Sequence, residues 1–125
     1  MSFLTKKKRV LLLDDDPSMQ RLVSQILKKE GFRVDVFLTG REAIAAAAKD
    51  SYDVLLLDLM MPHEGGMTVI RHLREKDPQL LARAVLFTGT SEAVIESMAG
   101  DVRTVLQKPF EPAQLIQVVR DVSSQ

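Results

Sequence analysis

Five short apolar runs, at residues 10–13, 34–37, 54–57, 84–87 and 104–106, recur along the chain, and the stretches between them carry helical spacing. That alternation limits the fold more than any other feature. A run of about four residues that is apolar on both faces and bounded by helical stretches reads as a strand covered from two sides. Strands of this kind separated by helices build a parallel sheet with helices packed above and below it.

The helical stretches have recognisable ends. Met19, Leu22, Val23, Ile26 and Leu27 follow the spacing of a helix with one buried stripe, with Asp16 as N-cap, Pro17 in the first turn and Gly31 at the end. A second helix is predicted over 41–48, where Ala43, Ile44 and Ala47 can approach a sheet closely and four consecutive alanines favour helix. A third is predicted over 66–75 through Met67, Ile70 and Leu73, and a fourth over 91–99 through Val94, Ile95 and Met98. The last starts at Pro112 and buries Leu115, Val119 and Val122. Right-handed crossovers make a doubly wound α/β sheet the natural product. For five strands the favoured order is 2-1-3-4-5, the flavodoxin-like arrangement, which opens a ligand crevice beyond the carboxyl ends of strands 1 and 3.

At 125 residues, 46% of them hydrophobic, the chain matches one domain with a real core, set here at about 8–122 behind a flexible lead-in over 1–7. Seventeen basic residues balance seventeen acidic ones, so no bulk field draws it to nucleic acid or an anionic membrane. Without cysteine there is no disulfide and no thiolate metal site, which fits a cytoplasmic setting. The lysines at 6–8 and Arg9 precede an apolar run far too short for a signal peptide or a membrane span, and read as a solvated approach to the first strand.

The chemistry gathers at the strand ends. Strand 1 runs into Asp14, Asp15 and Asp16, and strand 3 into Asp58, so the topology carries several carboxylates to one crevice. Acids crowded at the rim of a low-dielectric core repel one another unless a hard cation neutralises them or one stays protonated. Oxygen-only ligands of small number suit Mg²⁺, which keeps water and also binds phosphate. Strand 4 ends in Thr88 and Gly89, and strand 5 is followed by Lys108 and Pro109. A hydroxyl and an ammonium beside a metal-bound carboxylate meet the needs of phosphoryl transfer, in which charge grows on the equatorial oxygens and the carboxylate can be the nucleophile. Asp16 needs no role beyond capping.

Four motifs in this order carry a family resemblance: Leu-Leu-Leu-Asp-Asp-Asp-Pro at 11–17, Leu-Leu-Leu-Asp-Leu-Met-Met-Pro at 55–62, Phe-Thr-Gly at 87–89 and Gln-Lys-Pro-Phe at 107–110. Together they resemble a response regulator receiver domain of two-component signalling, over about residues 8–122. The resemblance implies that Asp58 is the phosphoacceptor, Asp15 a direct Mg²⁺ ligand and Asp14 a ligand through water, with the Met60 carbonyl completing the protein's share. It further implies that Thr88 and Lys108 meet the phosphoryl oxygens, and that the Lys108–Pro109 bond is cis. The implied partners are a sensor histidine kinase or phosphotransfer protein and a downstream output domain or protein, with no direct contact with nucleic acid or membrane; homodimerisation on phosphorylation is left open by the sequence. The chain would promote its own phosphorylation and dephosphorylation without being a turnover enzyme.

Two features depart from the family's pattern. Receivers often carry an aromatic residue three positions before the lysine, where this chain has Val105, so the usual coupling from Thr88 to the surface of the fourth and last helices lacks its ring. The loop after Pro62 reads His63, Glu64, Gly65, Gly66 in place of the more frequent turn, keeping its flexibility in the paired glycines. His63 and His72 read as a loop and a surface histidine, and Met60 and Thr90 hold positions that tune phosphoryl lifetime in receivers.

Other readings are a pseudo-receiver that binds partners without phosphorylation, and a Mg²⁺-dependent phosphohydrolase. The second resembles haloacid-dehalogenase-type chemistry, but that requires a second aspartate where Met60 stands. No Walker A loop or Gly-x-Gly-x-x-Gly turn is present for a nucleotide enzyme.

Overall fold

The computed structural model describes residues 6–59, 61, 65–89, 102 and 104–125. The predicted helix over 91–99, together with Met60, Pro62, His63 and Thr90, lies outside the described residues. Within them the order is β1 Arg9–Leu13, α1 Pro17–Lys29, β2 Arg33–Phe37, α2 Gly40–Lys49, β3 Val54–Leu57, α3 Gly66–Lys76, α4 Pro78–Leu81, β4 Ala84–Thr88, β5 Thr104–Gln107 and α5 Pro112–Ser123. The strands form one parallel sheet in the order β2-β1-β3-β4-β5.

The apolar runs supply both faces of this sheet. Leu11, Leu13, Leu55, Leu57 and Leu86 pack against Ala43 of α2 and against Val69, Ile70 and Leu73 of α3. The alternate residues Val10, Leu12, Val54, Leu56, Val85 and Phe87 pack against Val23 and Leu27 of α1 and Leu115, Val119 and Val122 of α5. Opposite directions of successive side chains along a strand split each run between two cores, which is why the interior of the central strands is apolar and polar residues stand only at their ends. The edge strands β2 and β5 each expose part of their length.

Helix ends follow the local chemistry. Asp16 accepts from the Ser18 amide at 2.9 Å with Pro17 behind it, and Gly31, at φ 92°, ends α1 in the left-handed region. Leu22 departs from expectation: it is 44% exposed, so it is not part of the buried stripe. At 100° per residue it lies about 120° from the midpoint of Val23 and Leu27, beyond reach of the sheet. α4 was not foreseen, because four residues are too few for periodicity; its only signal is Asp77, which accepts from the Leu80 amide at 3.2 Å, followed by Pro78. His72 is half-buried on α3 and keeps part of its surface open to solvent.

At the amino edge of the sheet a polar cluster ties β1, β2 and the approach to β3 together. Arg9 lies over the Tyr52 ring at 4.9 Å and donates to Asp35 at 2.9 Å, and the Tyr52 hydroxyl donates to the same carboxylate oxygen at 2.8 Å. Burial and the Asp35 carboxylate push the Tyr52 phenol up to about 12. Burial also pushes the Asp35 carboxyl up, but the hydrogen bonds from Arg9 and Tyr52 outweigh it and hold it below the usual range.

Candidate functional site

The opposite, carboxyl edge holds the acids. In the parallel register Leu13 lies beside Leu57, so the next residues, Asp14 and Asp58, are neighbours by construction. The ladder runs one residue past the strands: the Asp58 amide donates to the Leu13 carbonyl at 3.0 Å and the Asp14 amide to Phe37 at 3.3 Å. Lys108 is placed the same way, its amide donating to the Thr88 carbonyl at 2.9 Å, one step beyond the Thr88 and Gln107 pair. The Lys108–Pro109 bond is cis.

Carboxylate oxygens of Asp14, Asp15 and Asp58 lie within 4.8 Å of one another. Asp14 is fully buried and Asp58 is 6% exposed, while Asp15 opens to solvent. Two buried carboxylates this close need positive charge, and Lys108 provides part of it: its Nζ donates to Asp14 Oδ2 at 2.9 Å and to Asp58 Oδ2 at 3.4 Å. One ammonium against three acids leaves net negative charge in an oxygen-only cluster open at Asp15, and such a donor set fits a hard divalent cation. Thr88 is buried at the end of β4.

Several supports had no sequence signal. The Gln20 side chain donates to the Asp14 carbonyl at 2.6 Å, and the other Asp14 oxygen accepts from the Asp16 amide at 2.9 Å, so this acid is held from three sides. The Gly66 amide, at the start of α3, donates to the Asp58 carbonyl at 2.7 Å. The Lys108 ammonium sits over the Phe87 ring at 4.5 Å from its centroid, and Phe110 packs on Phe87 at 5.4 Å with a 54° tilt. Val105, at the place the family often gives to an aromatic ring, is 36% exposed on β5.

The family model of the response regulator receiver domain matches residues 10–120. The DNA-binding response regulator MtrA of Mycolicibacterium smegmatis is 36% identical over 118 residues, covering 93% of this chain and 50% of that protein. The transcriptional regulatory protein ResD of Bacillus subtilis is 30% identical over 93% of this chain and 48% of its own length. The chain thus spans about half the length of the curated relatives it matches. Among solved structures, the chemotaxis protein CheY4 of Vibrio cholerae superposes with a TM-score of 0.81 at 30% identity, covering 93% of this chain and 98% of that one. The response regulator TrrA of Thermotoga maritima, in complex with Mg²⁺ and BeF, gives a TM-score of 0.81 at 28% identity over 92% of this chain and 98% of its own.

Proposed function

Because the chain belongs to the response regulator receiver domain family, we propose that it works by accepting a phosphoryl group on Asp58. The observation that carries this reading is the meeting of Asp14, Asp15 and Asp58 within 4.8 Å, with Lys108 bonded to two of them. An Asp58 carboxylate oxygen attacks phosphorus in line, the bond from phosphorus to the donor breaks, and the donor leaves with that electron pair. The donor is a phosphohistidine on a kinase or phosphotransfer protein, or a small acyl phosphate.

Asp15 and Asp58 would hold Mg²⁺ directly, Asp14 through water, and the Met60 carbonyl would complete the protein's share. When bound, that ion neutralises charge shared by the acids and the phosphoryl oxygens. Lys108, fixed beside Asp58, meets the charge that grows on an equatorial oxygen, and the Thr88 hydroxyl meets another. The added dianion then shifts a two-state surface read downstream. MtrA is named as DNA-binding, and by that similarity the downstream reader of this domain is a DNA-binding output, in the same polypeptide or a separate one. The domain itself makes no contact with DNA in this reading, forms a homodimer when phosphorylated, and acts in the cytoplasm, where phosphohistidine donors are produced. No described helix is long and apolar enough to cross a membrane.

Incubation with acetyl phosphate and Mg²⁺, followed by intact mass measurement, tests the central claim. One phosphate-sized adduct is expected on the unmodified protein and none on Asp58→Asn. A protein that stays unmodified would turn the reading toward a binding module that does not use phosphorylation.

A further inference from the structure

Among the described residues, Lys108 brings positive charge to this site and bonds to two anions. An ammonium has three N–H bonds. Asp14 Oδ2 takes one at 2.9 Å and Asp58 Oδ2 another at 3.4 Å. The buried Asp14 is the nearer, so of the two carboxylates it holds the ammonium more closely. On its remaining side lies the face of the Phe87 ring, 4.5 Å from Nζ. Phe87 is fully buried, and Phe110 tilts against it, so the ring cannot turn aside. A cation over a fixed, desolvated aromatic face is held by the ring's quadrupole, and this hold is strongest where water is excluded.

We propose that Phe87 is a positioning residue for phosphoryl transfer: its ring face holds the Lys108 ammonium within reach of Asp58. The proposal rests on the reading of Asp58 as phosphoacceptor. The neighbouring Thr88 would contact the phosphoryl group, whereas the Phe87 ring would act through the lysine it faces. Preorganisation of this kind matters because a charged group already in place needs no reorganisation as charge develops.

Truncating Phe87 would open a cavity in the core, so the test keeps its shape and changes its electrons. Phe87 is replaced in the full chain by mono-, di- and trifluorophenylalanine, each fluorine withdrawing charge from the ring face. The rate of adduct formation on Asp58 with acetyl phosphate and Mg²⁺ is then measured by intact mass. The rate is expected to fall stepwise along the series, by roughly 2- to 30-fold at the trifluoro side chain, the range that loss of a cation–π contact spans. In a Lys108→Met background the same series is expected to be flat. A flat series in the otherwise unmodified protein overturns the proposal, and so does a slope that persists without the ammonium, since the ring would then act through packing. Failure of the unsubstituted protein to take up phosphate would instead remove the reading of Asp58 itself.

Discussion

Gly66 offers the sharpest test of how the fold holds Asp58. A Cβ built at this position would lie 2.8 Å from the Asp58 carbonyl oxygen, 3.1 Å from its carbonyl carbon and 3.3 Å from the Leu57 Cβ. The first distance is below any ordinary contact, and the atom it meets is backbone, so no rotamer change relieves it. Either α3 or the Asp58 backbone must move, which stretches the 2.7 Å bond from the Gly66 amide. Overpacking costs about 1–3 kcal/mol and the weakened hydrogen bond about 1 kcal/mol, against about 0.4–1 kcal/mol regained from a stiffer unfolded chain. Gly66→Ala is therefore expected to destabilise by roughly 2 kcal/mol. At Gly65 the nearest atom is the Met61 Cβ at 3.0 Å and the Asp58 oxygen is 3.3 Å away, so both contacts are looser than the one at Gly66 and a few tenths of an ångström of movement in the loop backbone that carries Met61 relieves them. Gly65→Ala should cost under about 1 kcal/mol. In urea unfolding, with a slope of about 2 kcal/mol per molar, Gly66→Ala should lower the midpoint by roughly 1 M and Gly65→Ala by less than half of that. Equal midpoints for the two variants, or a Gly66→Ala protein as stable as its parent, would refute the claim that α3 closes directly on the Asp58 backbone.

Mg²⁺ at about ten times its dissociation constant should stabilise the protein by about 1.4 kcal/mol, raising Tm by roughly 5 °C, with a clearly smaller rise in Asp15→Asn; calorimetry with and without the ion checks both. Tyr52 is the chain's single tyrosine and there is no tryptophan, so ultraviolet absorbance reports it alone, and its phenol should ionise near 12 in the folded protein. Because that value is raised above the unfolded one, its stabilising effect is complete below about pH 10 and is lost as pH climbs toward 12; a folded-state midpoint near 10 would contradict the Asp35 contact. On α1, Leu27→Ala should cost about 2–5 kcal/mol and Leu22→Ala under about 1 kcal/mol in denaturant unfolding, since Leu27 is fully buried and Leu22 is 44% exposed.

What the chain's own pattern determined was the architecture and the address of the site. Runs such as Val-Leu-Leu-Leu at 54–57 have no polar face, so they had to be central strands, and the parallel order follows from chirality and the number of crossovers. Asp14 and Asp58 were legible for the same reason: each directly follows a buried strand, and the register makes them neighbours.

Only the tertiary structure decided what holds those acids. That Leu22 faces water, that Gly66 rather than Gly65 abuts the Asp58 backbone, and that a ring lies under the Lys108 ammonium depend on packing between elements far apart in the chain. Periodicity tells a residue which face of its own element it occupies. It carries no information about which atom of another element will stand opposite, and at separations of 3–5 Å that is what sets charge, strain and position in this site.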